Sequence, residues 1–184
     1  VRAERPAARL LLIGAGPEEA SLRARAAELR LSVGDVGSVA DVILPGMRSD
    51  PLRYLRLGRV FVMPSRYEGL PNALIESLAA GVNVLASDCC WGPRSILSAG
   101  SLPYDAAAPV LPLALAHGVL MPLPDAAGAV QVWATEMARV LASPPAPRAD
   151  RAARLACVAR YDIGRTGLRW LKLAEEMAHL AGPR

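Results

Sequence analysis

Five short runs of three or four apolar residues punctuate the chain, and none shows polar alternation. They lie in "ARLLLIG", "VADVILPG", "RVFVMPS", "VNVLASD" and "HGVLMPLPD". A strand with one wet face alternates apolar and polar residues, whereas a strand covered on both faces reads as a continuous apolar run. Each of the first four runs leads through a turn into a segment of helical character. Pro17, Glu18 and Glu19 suit the opening of the first helix, and Ser49 or Asp50 caps a short second one. "LPNALIESLAAG" is predicted as a helix with Pro71 near its first position and Gly81 just past its end. "GPRSILSAG" reads as another short helix. Strands alternating with helices predict an α/β fold, a parallel sheet with helices on both faces.

The 184 residues suffice for one domain with a core, or for one domain and an appendage. Residues 8–142 are predicted as that core. The proline-rich 143–150 reads as a connector, and 151–184 as closing helices. Hydrophobic residues make up 53% of the chain, which excludes disorder. The net charge of +4 is carried almost wholly by scattered arginines, Lys172 being the sole lysine. Without a basic run or interleaved aromatics the pattern does not predict nucleic-acid binding, but it leaves room for contact with an anionic membrane surface or a phosphorylated substrate. Cys89, Cys90 and Cys157 form no disulfide or zinc pattern. No metal is therefore expected, and a reducing cytoplasm is the expected location. No basic-then-apolar signal segment is apparent at Val1. The apolar stretch "AAAPVLPLALAHGVLMPLP" holds Pro109, Pro112, Pro122, Pro124, His117 and Gly118, so it is expected to be a loop entering a buried strand and not a membrane span.

Ligands of parallel α/β sheets sit at the carboxyl ends of the strands. After the first strand comes Gly14-Ala15-Gly16-Pro17, a turn that lets backbone approach a ligand but lacks the third glycine of a dinucleotide site. After the third comes "PSRYEGLPNALIE". Pro71 starts the helix, and the amides of Asn72, Ala73 and Leu74 are expected to face an anion in front of it, a diphosphate being the natural occupant. Glu76 follows Asn72 by four residues, roughly 6 Å further along the same face. A carboxylate there suits the hydroxyls of a ribose whose phosphates bind the helix tip. Glu68, before the tip, would face the group beyond the second phosphate. The two glutamates would thus bracket a sugar nucleotide.

With these residues in view, the chain resembles the C-terminal, nucleotide-sugar-binding half of a retaining GT-B glycosyltransferase of the family four type. "LLIGAGP" resembles that family's glycine turn. "VFVMPSRYEGLPNALIESLAAGVNVLASD" resembles its E-x7-E block, and "HGVLMPLPD" its late strand. "LPGMRSDP" and "SDCCWGPRSIL" resemble the "DC-x-x-GP" subgroup, many of whose members add hexoses or hexosamines to lipid-linked or polysaccharide acceptors.

The resemblance implies a Rossmann-like domain and a role for each matching residue. Glu76 would bind the ribose; the amides of Asn72, Ala73 and Leu74, following Pro71, would bind the diphosphate. Glu68, the candidate catalytic residue, would contact the donor sugar with Gly69 and Leu70. Gly14 and Gly16 would border the cleft, and Pro45, Gly46 and Met47 would lie near the base. No metal or cofactor is implied; the substrate would be a nucleotide-diphosphate sugar, a uridine nucleotide before a guanosine one. Expected partners are a glycan or lipid-linked acceptor and a missing acceptor domain or partner chain, with peripheral contact at the inner face of the cell membrane as a further expectation.

Two departures stand out. Ser95 replaces the glutamate usual in the subgroup. The strand and helix that open the family's C-terminal domain, with an Arg and a Lys for the diphosphate, have no counterpart here. Two alternatives therefore stand beside the enzyme reading. One is a non-catalytic remnant or partner-binding subunit of a split enzyme. The other is a different GT-B activity, such as an epimerase or phosphorylase, which neither "EGLPN" nor the chain length favours.

Overall fold

The fold was analysed in a computed structural model, which describes residues 1–103, 105, 107–144 and 148–181. In chain order the elements are β1 (Leu10–Ile13), α1 (Glu19–Glu28), β2 (Val33–Gly34), β3 (Val42–Gly46), α2 (Pro51–Leu55), β4 (Val60–Met63) and α3 (Asn72–Ala80). They continue with β5 (Asn83–Ser87), α4 (Pro93–Leu97), β6 (Leu113–Leu115), β7 (Gly118–Met121), α5 (Ala129–Ala142) and α6 (Arg148–Val158). After a 3-10 turn at Ala159–Tyr161, α7 (Ile163–Ala181) closes the chain. All five predicted strands are present, and the α/β class holds.

The sheet differs from the expectation in two ways. The described strands form two ladders, β1-β3-β2 and β4-β5-β7-β6, with no hydrogen bonds joining β1 to β4. Both strands therefore end a ladder, and Leu10 and Leu11 of β1 remain 48% and 37% exposed although their run reads as doubly buried. The second difference is β6, which pairs antiparallel with β7 around a turn at Ala116–His117. Every other pairing is parallel. The stretch expected to be a loop entering a strand is a hairpin in its described part. Prolines on both sides of it masked the short Leu113–Leu115 run.

The core lies on both faces of the second ladder, because β5 sends alternate residues each way. Val84 and Ala86 meet Leu74 and Leu78 of α3, Ile96 and Leu97 of α4, and Val158 of α6. Leu85 meets Ala129, Trp133 and Val140 of α5 on the opposite face. The Trp133 indole N–H is satisfied by the Pro122 carbonyl at 3.0 Å. Helix α3 buries Leu74, Ser77 and Leu78, the i, i+3, i+4 stripe of a helix with one covered face. It ends at Gly81, whose φ of +78° is a left-handed cap that a side chain disfavours. Pro71 is its N-cap, one position earlier than predicted, and Asp50 caps α2 without a side-chain hydrogen bond.

Arg154 of α6 straps the helix to the body. It donates to the Gly81 carbonyl at 3.1 Å and to Asn83 Oδ1 at 3.0 Å. Helix α6 begins at Arg148, so the end of the predicted connector is helical; residues 145–147 lie outside the described residues. The chain closes with α6 and α7, and 182–184 also lie outside the described residues. All described side chains of α7 are exposed, among them Ile163, Leu168, Trp170, Leu171 and Met177. No described helix is long and apolar enough to cross a membrane.

His117 is buried in the hairpin turn, and its Nδ1 has no partner. Burial, then the nearby charges of Arg154 and Arg160, push its pKa below the ordinary 6.5. Its neutral form is the one folding favours, so the unfolded chain takes up the proton first. Stability should be complete above pH 6.5 and fall as the pH drops below that value through the lowered folded pKa. Urea unfolding at pH 7.5 and at pH 5 should show this loss, and His117→Gln should flatten it. An unchanged pH slope in that variant would exclude His117 as the source.

Candidate functional site

The predicted site residues fall in two groups, both at the carboxyl ends of parallel strands. The first is at the ends of β1 and β3. The Gly14 amide donates to the Gly46 carbonyl at 3.0 Å, tying the two strand ends together. Ile13, Gly14, Gly16, Leu44 and Gly46 line a shallow cavity of about 330 Å³. Pro45 lies within β3, and Met47 beyond it is 72% exposed; neither lines that cavity.

The second group is the β4–α3 loop and the first turns of α3. Gly69 and Leu70 are exposed in the loop, while Pro71 is buried against its neighbours. The expectation of three free amides is corrected at Leu74. Its N–H donates to the Pro71 carbonyl at 3.0 Å, and its side chain is fully buried in the core. A tight first turn has consumed that donor. Asn72 and Ala73, both exposed, have no intrahelical acceptor, as expected for the first residues of a helix. Glu76 is half-buried, not the fully solvated side chain its polarity would suggest, and no hydrogen bond or ion pair engages it among the described residues. Its carboxylate is available to a ligand.

The loop is held from beneath by the segment after β5. Gly92 has a φ of +96°, and a Cβ placed there would lie 2.5 Å from Pro71 Cδ and 3.2 Å from the Gly69 carbonyl oxygen. Only a residue without a side chain lets the two loops touch. Tyr67 and Cys90 make an isolated parallel bridge in the same place. The β5–α4 loop is itself pinned by a buried ion pair: Arg94 donates from Nε to Asp88 Oδ1 at 2.9 Å and from a terminal nitrogen to Oδ2 at 2.6 Å. The two side chains are only 7% and 9% exposed. Arg66 of the upper loop reaches Asp125, after β7, at 3.3 Å. These ties went unread in the sequence. Asp88 and Arg94 are six positions apart, a spacing that marks no regular element, and Arg66–Asp125 is wholly non-local.

Cys89 is 1% exposed. Burial first, then the Glu68 charge, raises its thiol above the ordinary range, although a Ser87 hydrogen bond opposes the shift. Cys89 should therefore alkylate far more slowly than a free thiol at neutral pH, and iodoacetamide labelling read by mass spectrometry checks this. Rapid labelling accompanied by loss of nucleotide binding would contradict the structural role. Among the described residues, no group of three His, Cys, Asp or Glu is placed to hold a metal.

The arrangement is a helix tip with two unengaged amides, flanked by one carboxylate before it and another inside it. The family of Glycosyl transferases group 1 matches residues 1–142, and the chain belongs to it. Among sequence relatives, it is 36% identical over 92 residues to an uncharacterized glycosyltransferase, MJ1059, of Methanocaldococcus jannaschii, covering 50% of this chain and 21% of that protein. It is 34% identical over 89 residues to the amylovoran biosynthesis glycosyltransferase AmsD of Erwinia amylovora, covering 48% and 23% respectively. The chain thus matches less than a quarter of the length of either relative. Among solved structures, the pneumococcal O-GlcNAc transferase GtfA, in complex with UDP and GlcNAc, aligns with 97% of this chain and 31% of its own, at a TM-score of 0.66 and 18% identity. That likeness supports the GT-B type of fold.

Proposed function

We propose that this chain is the donor-binding part of a retaining glycosyltransferase of the "DC-x-x-GP" subgroup. It would take a hexosyl or hexosaminyl group from a nucleotide-diphosphate sugar destined for a glycan or lipid-linked acceptor. The observation that carries the reading is the pair Glu68 and Glu76, both half-buried, on either side of the open Asn72 and Ala73 amides. A diphosphate sits at the tip, where the helix dipole and the two N–H groups favour an anion. Glu76 accepts from the ribose hydroxyls and Glu68 meets the donor sugar. Gly14, Gly16 and Gly46 border the cleft on the base side. No metal is required in this reading, and uridine is the preferred base.

The ladder ends at β1 and β4 fit a position for one more parallel strand, which the rest of a two-domain enzyme or a partner chain supplies. The exposed apolar side chains of α7 fit the same reading. Residues 8–142 form the donor core, with α6 strapped to it. Contact with the inner face of a cell membrane would come through the lipid-linked acceptor.

Nucleotide binding should depend on Glu76. Replacing it with alanine removes charge-assisted hydrogen bonds to the ribose and should weaken binding by about 1.5–3 kcal/mol. Calorimetry with uridine and guanosine diphosphates, on wild type and Glu76→Ala, is the measurement. Equal affinity in both proteins would remove the ribose role.

A further inference from the structure

We propose that Ser65 is a positioning residue for Glu68, fixing which carboxylate oxygen is offered to the donor sugar. The proposal rests on the sugar-facing role of Glu68 given above. The Ser65 hydroxyl donates to Glu68 Oε1 at 2.7 Å. Ser65 is in turn held by its backbone: its carbonyl accepts from the Ser87 hydroxyl at 2.5 Å. Ser87 ends the central strand β5, is fully buried, and also lies 3.3 Å from the Met63 carbonyl at the end of β4. A two-step chain of hydrogen bonds therefore runs from the core of the sheet to the carboxylate.

The chemistry of each link assigns it a separate task. A carboxylate accepts through two oxygens and otherwise turns freely about its last torsion, which is broad and roughly two-fold. With Oε1 committed to Ser65, the torsion is set, and Oε2 is left with its full accepting capacity for sugar hydroxyls. Ser87 acts on the path of the loop and not on the carboxylate, because it binds a main-chain carbonyl. Alanine at position 65 keeps that carbonyl and so keeps the loop anchored. Alanine at position 87 removes the anchor and leaves the 65–68 hydroxyl bond chemically intact.

The two serines can therefore be separated by ligand. Uridine diphosphate reaches the helix tip and Glu76 but has no sugar for Glu68, whereas a UDP-hexose engages both ends. Titrations by ligand-observed NMR, which reads weak affinities, would compare uridine diphosphate with UDP-glucose, UDP-galactose and UDP-N-acetylglucosamine. Ser65→Ala should weaken the best UDP-hexose about tenfold, the scale of one charge-assisted hydrogen bond, and leave uridine diphosphate unchanged. Ser65→Thr, which retains the hydroxyl, should restore the affinity. Ser87→Ala should weaken both ligands together.

Glu68→Gln separates failure of the proposal from failure of the reading beneath it. If that variant binds every UDP-hexose as wild type does, or if wild type binds none, the sugar-facing role falls and the proposal falls with it. If Glu68→Gln discriminates against the hexose and Ser65→Ala does not, only the positioning role is overturned. Equal loss of both ligands in Ser65→Ala would also overturn it, showing that the serine holds the loop and not the carboxylate.

Discussion

Replacing either Asp88 or Arg94 with alanine is expected to remove about 3–5 kcal/mol of folding stability. The pair is bidentate and more than nine-tenths buried, so deleting one partner takes from the other its bidentate counter-charge at a place where little water reaches. Domains of this size are stable by only about 5–15 kcal/mol, so either variant should unfold at a much lower denaturant concentration. Mutual attraction is not the whole of the effect, since removing both ions from water is itself costly. Substituting both together, as Asp88→Leu with Arg94→Met, should therefore recover much of the loss. The damage should also reach the candidate site. Gly92, between the two charged residues, packs on Pro71 and the Gly69 carbonyl. A loosened β5–α4 loop withdraws the floor of the 67–71 loop, so nucleotide affinity should fall with stability. Urea unfolding of the three variants tests the energetics. Single substitutions costing under about 1 kcal/mol would mean the pair is hydrated and does not pin the loop.

The second large effect concerns turnover: the 184-residue chain on its own should transfer no sugar, and its donor binding should be weak. Sugar transfer needs a donor site, an acceptor site and a cleft closed against water. The tip of α3 contributes a partial charge of only about half a unit. Arg94 is committed to Asp88, and Arg66 reaches Asp125. In the resembled enzymes an Arg and a Lys from a preceding strand and helix meet the charge of the departing diphosphate. Supplying that region with an acceptor domain, fused or as a separate chain, should restore binding and turnover together. A radiolabelled-donor assay decides the matter, and multiple turnover by the chain alone would falsify the half-enzyme reading.

Reading the strands required little beyond local pattern. The runs at Leu10–Ile13 and Val60–Met63 are strands because continuous apolar residues bounded by glycine, proline and serine have few other ways to be buried. The start and stop of α3 were equally legible, since Pro71 and Gly81 act through their own backbone preferences. The place of Glu76 on the helix followed, because helix periodicity converts sequence spacing into distance.

Tertiary structure decided what depends on partners far along the chain. An apolar run predicts burial but not by what, so Leu10 and Leu11 could read as doubly covered and still sit on an open edge. Leu113–Leu115 is too short to declare itself, and becomes β6 only because β7 offers a ladder. Whether the Leu74 amide stays open depends on how tightly the first turn closes on Pro71. The links from Ser87 to Ser65, from Asp88 to Arg94 and from Gly92 to Pro71 carry no spacing rule. Backbone preference and periodicity are local properties, already present in the order of residues. The orientation of a carboxylate and the fate of a buried charge depend on through-space neighbours, which exist only once the chain has folded.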